Sequence, residues 1–159
     1  MNALVSTPAN AQALQRKRWW YLIGFLPAIL PWLGSYFSLV FGQSALWSFF
    51  TPFIVFAVIP LADYAFGKDA VNPDEAQTKS LSEQWYYRWL TLLCLPIQVV
   101  SVAAGMWVFS TMESDLEKTG WIISFGVVSS ALAINVGHEL VHKNEKLEQW
   151  VGGLLLASV

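Results

Sequence analysis

The residues of this chain best suited to bind a metal ion are its two histidines, His138 and His142. Both lie in the segment HELVHK, residues 138–143, where a long apolar stretch ends. Residues spaced i and i+4 lie on one face of an α-helix, so both imidazoles can point at the same ion. The spacing therefore predicts a metal site, with Glu139 between its two ligands.

The same segment also contains HExxH, in which two helical histidines bind zinc and the glutamate is the general base of a metalloprotease. A membrane zinc protease therefore stays open as an alternative, and so does a non-catalytic membrane scaffold. Polar residues 143–146 follow at once and expose the site to the cytosol, which weighs against the protease. Catalytic zinc has about three protein ligands, and oxygen-activating iron needs a comparable or larger set. We expect the remaining ligands from sequence outside this chain or from another chain.

The composition places this site in a membrane protein. Hydrophobic residues make up 55% of the chain and charged residues 13%, with a mean hydropathy of +0.47. Soluble domains carry roughly 25% charged residues. The net charge of −2 and the pI of about 5.6 argue against a nucleic-acid partner. The single cysteine, Cys94, lies in an apolar run and is predicted to be a packed apolar side chain.

Four apolar runs are long enough to cross about 30 Å of hydrocarbon as helices that rise about 1.5 Å per residue. They cover residues 19–41, 47–66, 89–112 and 120–137. The predicted fold class is an all-α integral membrane protein, with four transmembrane helices in two hairpins and the start of a further apolar helix.

The predicted organisation follows from these runs. It comprises a cytoplasmic amino-terminal tail (1–18), a first transmembrane hairpin (19–66), a cytoplasmic loop (67–88), a second hairpin that ends in the histidine pair (89–142) and the start of an apolar segment (143–159). That last segment has no polar flank after it, and an unfinished apolar helix has no evident way to settle in a bilayer. We therefore expect this chain to be the front part of a longer protein.

Lysines and arginines in short loops favour the cytoplasmic side of a membrane. All but one of the nine fall on the same side of the predicted spans. These are Arg16, Lys17, Arg18, Lys68, Lys79, Arg88, Lys143 and Lys146, whereas Lys118 falls on the other side. The pattern predicts that the amino terminus, the middle loop and the histidine pair are all cytoplasmic.

Two motifs together resemble one enzyme family. Residues 60–73 have the pattern PxxDxxxGxDxxNP at the exit of the second span, and residues 135–143 read NVGHELVHK. Both closely resemble the membrane-bound alkane 1-monooxygenases, which belong to the histidine-box hydroxylases and desaturases. The resemblance covers essentially the whole chain, including the order of spans and loops.

The resemblance implies an amino-terminal fragment of a six-span enzyme of the bacterial inner membrane. Such enzymes insert one oxygen atom of O2 into the terminal C–H bond of an alkane at a cytoplasmic, non-haem di-iron centre. Rubredoxin and rubredoxin reductase deliver the electrons. By position, His138 and His142 would be iron ligands from the first histidine box. The later boxes are absent, so we expect this chain alone to bind iron weakly or not at all and to be inactive. Aryl-methyl monooxygenases and fatty acyl desaturases remain alternatives.

The roles of five further residues are less defined. Glu139, Asp63 and Asn135 are candidates to hydrogen-bond the ligand histidines and fix their orientation. Asp63 could equally be a helix-end anchor at the interface, and Asn135 a hydrogen bond between helices. Val55 and Ile59 could line a channel for an alkyl chain, or could face lipid or pack against neighbours. No residue stands out as catalytic beyond the metal ligands.

Overall fold

The computed structural model describes residues 17–67, 81 and 84–159. Within these residues the chain is helical and contains no β-strand, which confirms the predicted all-α membrane fold. The helices are α1 (Arg18–Phe41), α2 (Ser44–Trp47), α3 (Phe50–Phe66), α4 (Trp85–Thr111), α5 (Asp115–Val141) and α6 (Lys146–Leu156).

Three of these helices are long and apolar enough to cross a membrane by length and composition. They are α1, α4 and α5, with 24, 27 and 27 residues. The second predicted span corresponds to α3, which is apolar but shorter than these three. Prolines lie inside three of the helices, at positions 27 and 31 in α1, at 52 and 60 in α3, and at 96 in α4. Neighbouring helices and local adjustments can re-satisfy the backbone groups that a proline frees in a transmembrane helix.

The predicted link between the first two spans is a tight turn. Gly42 and Gln43 both have positive φ angles, 70° and 59°. Glycine adopts this left-handed region without steric cost, and the chain reverses here between α1 and α2. The short helix α2 then leads into α3, so the first hairpin is formed as the sequence predicts.

The helix bundle has two packed regions. Small and aliphatic side chains form one core, which comprises Ala28, Cys94, Val128, Leu132, Ala133, Leu140 and Leu155. Aromatic rings form the other, where Trp32, Trp121 and Phe125 meet edge to face or tilted. There Trp121 Nε1 donates to the carbonyl of Gly105 at 3.0 Å. Each of these two regions contains residues of α1, α4 and α5, so the three helices contact one another at two levels of the bundle.

Helix α5 is longer than its apolar run. It begins at Asp115 rather than at residue 120, and both Asp115 and Glu117 lie in its first turn. Acidic side chains there interact favourably with the positive end of the helix dipole, which explains the longer helix. At its other end α5 continues through His138 to Val141.

Two helices contain a π-turn, in which backbone hydrogen bonds run from i to i+5. One spans Ile54–Val58 in α3 and the other spans Ser130–Ile134 in α5. The second lies immediately before the segment that carries the histidines. The start of the predicted cytoplasmic tail and positions 68–73 of the PxxDxxxGxDxxNP motif lie outside the described residues.

Candidate metal centre

The two histidines lie at the end of a transmembrane helix, as predicted. His138 is in the last part of α5, and the helix proper ends at Val141. His142 keeps a helical backbone, with φ −92° and ψ −1°, and its N–H donates to the carbonyl of Glu139 at 3.3 Å. The helical path therefore continues far enough for both imidazoles to share one face.

The side of the helix that carries the histidines is uncovered by the described residues. His138, His142 and Asn135 are all exposed, whereas Gly137 and Leu140 on the other side are buried. An imidazole that the described residues leave exposed can present its ring nitrogens to an ion or to another part of the protein. We call the exposed side, with His138, His142 and Asn135, the histidine face.

Helix α6 packs against the opposite side at a very close distance. A Cβ built on Gly152 would lie 2.8 Å from the carbonyl oxygen of Gly137 and 2.8 Å from the backbone nitrogen of Val141. Only a residue without a side chain permits this approach between two backbones. Helix α6 therefore packs against the side of the histidine segment that is opposite to the histidine face.

An ion pair between a buried glutamate and a partly exposed arginine joins α6 to α4. Glu148 lies in the first turn of α6 and is 5% exposed. Arg88 Nε, near the start of α4, donates to Glu148 Oε1 at 2.9 Å. A buried carboxylate is costly unless it is paired and hydrogen-bonded, so this contact fixes where α6 can lie.

Glu139 points away from the histidine face. Its Oε1 lies 3.1 Å from Nζ of Lys143, in an i,i+4 ion pair. It also lines the mouth of a cavity of about 350 Å³ between α1, α4 and α5, which Phe25, Cys94 and Leu132 line as well. Its proposed role as a hydrogen-bond partner of a histidine therefore has no counterpart among the described contacts.

The other candidate residues are spread over two helices. Asp63 is exposed near the end of α3, and Asn135 is exposed on α5. Among the described residues, no hydrogen bond or ion pair joins either of them to a histidine. Val55 is half-buried and Ile59 is exposed, both on α3. Their predicted roles remain predictions.

The described residues contain no group of three or more histidine, cysteine, aspartate or glutamate side chains that could hold a metal ion. Two imidazoles on one helix turn nevertheless fit part of an iron site, because neutral imidazole is a good iron ligand.

Two buried polar residues that contact neighbouring helices escaped the sequence reasoning. Gln98 is fully buried at the midpoint of α4, and Glu148 is buried in α6. Gln98 is a single polar residue within an apolar run, and such residues in membrane proteins are rare and usually paired. That signal could have identified Gln98, whereas Glu148 lies among other polar residues and only the structure shows that it is buried.

Comparisons with known proteins give consistent results for nearly the whole chain. "Alkane 1-monooxygenase 1" of Pseudomonas aeruginosa is 37% identical over 96% of this chain and 40% of its own length. "Alkane 1-monooxygenase 2" of Alcanivorax borkumensis is 36% identical over 92% of the chain and 39% of its own length. The alkane 1-monooxygenase of Pseudomonas putida is 34% identical over 91% of the chain and 36% of its own length.

No protein-family model matches the chain. The similarity to the curated relatives nevertheless extends across both hairpins and the histidine segment, since it covers at least 91% of the chain. The chain spans about 40% of the length of these relatives. This similarity confirms the resemblance noted in the sequence: over nearly its whole length, the chain is similar to part of the alkane 1-monooxygenases.

Proposed function

We propose that this chain is part of an alkane 1-monooxygenase, which hydroxylates the terminal carbon of an alkane with O2. The observation that carries the proposal is the pair of exposed imidazoles at the end of a membrane-spanning helix. The names of the relatives supply the reaction. A site at the edge of the bilayer suits a substrate that dissolves in lipid.

His138 and His142 would hold iron through their ring nitrogens. When bound, non-haem iron supplies the oxygen activation that the protein's own side chains lack. The remaining ligands of a di-iron centre would come from other parts of the protein, since this chain spans about 40% of its relatives. The chain by itself would bind iron weakly and be inactive.

The residues of this chain would position and shield the site. The contact between Gly137 and Gly152 holds the histidine segment from behind, and the ion pair of Arg88 and Glu148 fixes the helix that makes this contact. Asp63 and Asn135 would orient ligands or anchor helix ends. An alkane would reach the site laterally from the lipid, with Val55 and Ile59 of α3 lining its path.

Orientation follows from the distribution of charge. With the spans placed as the sequence predicts, all lysines and arginines but one fall on the side of the histidines, which favours the cytoplasm for the site, the amino terminus and the middle loop. In the inner membrane of a bacterium, rubredoxin and rubredoxin reductase would then deliver electrons to the site from the cytosol.

The test is made on the complete gene product in membranes. His138→Ala and His142→Ala should each abolish conversion of octane to 1-octanol with rubredoxin and lower the iron content of the purified protein. Lys118→Ala, on the opposite side of the membrane, is the control and should change neither. Unaltered iron content and activity in both histidine variants would refute the proposal.

The zinc protease is tested in the same preparation. It requires that the purified protein contain zinc and cleave a polypeptide, and that Glu139→Gln abolish cleavage while zinc stays bound. We expect no cleavage, and we expect Glu139→Gln to retain iron, because its carboxylate is paired with Lys143 on the side away from the histidine face.

A further inference from the structure

The buried side of α5 changes register at its π-turn. From its first turns onward, buried residues recur every three or four positions, as in a regular helix whose residues turn about 100° each. They are Trp121, Ser124, Val128 and Leu132. If this regularity continued, Val136 and Glu139 would be buried next.

Beyond the π-turn, the buried positions of α5 lie one residue later in the chain than this regular spacing predicts. Ala133, Gly137 and Leu140 are buried, whereas Val136 is half-buried and Glu139 is exposed. A π-turn accommodates one additional residue in a helix. In α5 this π-turn spans Ser130–Ile134. Everything beyond it is therefore rotated by about 100° from the position that a regular α-helix would give.

This rotation decides where the histidines point. In a regular helix His138 would occupy the present place of Glu139, which lines the cavity between α1, α4 and α5. His142 would occupy the present place of Lys143. The π-turn instead puts both imidazoles on the histidine face, which the described residues leave uncovered.

One buried side chain contacts the residue before this turn. Gln98 is completely buried, and its Nε2 donates to Oγ of Ser129 at 3.1 Å. Its Oε1 has no hydrogen-bond partner among the described residues. A polar amide at the midpoint of a transmembrane helix is costly, and its one bond joins α4 to the residue that precedes Ser130.

We infer that the π-turn at Ser130–Ile134, held by the hydrogen bond from Gln98 to Ser129, sets the rotational position of the histidine pair, so that Gln98 is a positioning residue for the metal site. The inference rests on the proposed function only in calling the site a metal site. Its geometric part concerns the direction in which α5 presents His138 and His142.

The experiment measures a distance without metal, in the complete gene product with Cys94 replaced by alanine. Spin labels are attached to cysteines at Trp20 and Asn135, both exposed, and their separation is read by pulsed EPR. If Gln98→Leu lets the π-turn relax to a regular helix, Asn135 moves to the present place of Val136, which faces the cavity that Tyr21 of α1 lines. We expect a second, shorter distance, because residue 135 turns by about 100° towards α1. Its Cα moves by about 3.5 Å, the chord of that turn at a Cα radius of about 2.3 Å, and the label, which lies farther from the helix axis, moves farther.

The variants around Gln98 separate positioning from general loss of structure. Ser129→Ala should produce the same second distance, whereas Ser129→Thr keeps the hydroxyl and should not. Ser130→Ala is the matched control, because its hydroxyl donates only to the carbonyl of Gly126. The comparison of Ser129→Ala with Ser129→Thr also tests the inference if Gln98→Leu does not fold.

A rescue makes the test specific. Deleting Ser130 from the Gln98→Leu protein removes the additional residue, so a regular helix then presents the histidines in their original direction. The original distance should return in the labelled protein. In the protein without labels, the deletion should also restore the iron content that we expect Gln98→Leu to lower. A folded Gln98→Leu protein with the single original distance, or a failure of the deletion to restore it, would overturn the inference. Absence of iron from the unaltered protein, with the distances as expected, would overturn only the proposed function.

Discussion

The two sides of the last turns of α5 differ in almost every physical respect. One side is sealed, with Gly137 and Leu140 buried against α6. The other side carries His138 and His142, which are exposed. The sealed side supplies the contacts that hold the helix in place, and the open side carries the groups that can bind an ion. Substitutions on the sealed side should therefore lower the stability of the protein. Substitutions of the histidines on the open side should lower metal binding and change the stability little.

The ion pairs beside these two sides differ in the same way. Behind the sealed side, Glu148 is buried and hydrogen-bonded by Arg88 of another helix. Away from it, Glu139 and Lys143 pair within one turn, and their side chains are 61% and 30% exposed. A pair buried between helices constrains their arrangement, whereas an exposed i,i+4 pair contributes little. Stability measurements can test each of these differences.

The largest effect is expected on the sealed side, at Gly152. Gly152→Val places a side chain against the backbone of Gly137 and Val141, so either α6 or the histidine segment must move. We expect a loss of about 3 kcal/mol in the free energy of unfolding, at the upper end for overpacking. Thermal unfolding of the purified protein in detergent measures it. Gly153→Val is the control, because a Cβ there meets nothing within 4 Å. Equal losses for the two variants would show that the glycine contact does not matter.

The next effect concerns the buried pair. Glu148→Ala leaves Arg88 without its partner, and breaking a fully buried pair costs about 3–5 kcal/mol. The side chain of Arg88 is 37% exposed and can regain other hydrogen bonds, so we expect a smaller loss of about 2 kcal/mol. The exposed neighbour Lys146 provides the control, since Lys146→Ala should change the unfolding temperature little. A charge-exchanged protein, Arg88→Glu with Glu148→Arg, should recover part of the loss.

These contacts also show which parts of the structure the sequence could predict and which it could not. Apolar run length identified every long helix, and the i,i+4 histidines identified the candidate ligands, because both signals are local. The pairing of Arg88 with Glu148 joins residues far apart in the chain, and no periodicity encodes it. The π-turn in α5 is equally hidden. The run of residues 120–137 is apolar on most sides, so the one-residue change in its buried face emerges only after packing.

A smaller effect is expected from the exposed pair. Lys143→Ala removes the partner of Glu139 without leaving a buried charge, since both side chains are already partly exposed. We expect a loss of about 0.3–0.5 kcal/mol, the usual value for an i,i+4 pair on a helix. The same unfolding experiment in low and high salt tests this value, because screening should remove most of it. A loss comparable to that of Glu148→Ala would mean that Lys143 has a buried partner in the complete protein.

The smallest effect on stability is expected at the histidines themselves. His138→Ala and His142→Ala remove side chains that are exposed and that make no hydrogen bond or ion pair among the described residues. In metal-free protein, we expect the unfolding free energy to change by less than about 0.5 kcal/mol, as for surface substitutions in general. In the complete gene product, addition of ferrous iron should then stabilise the unaltered protein and neither variant, because a ligand stabilises only the state that binds it. If the metal-free variants were strongly destabilised, the histidines would be structural, and the division of α5 into a sealed and an open side would be wrong.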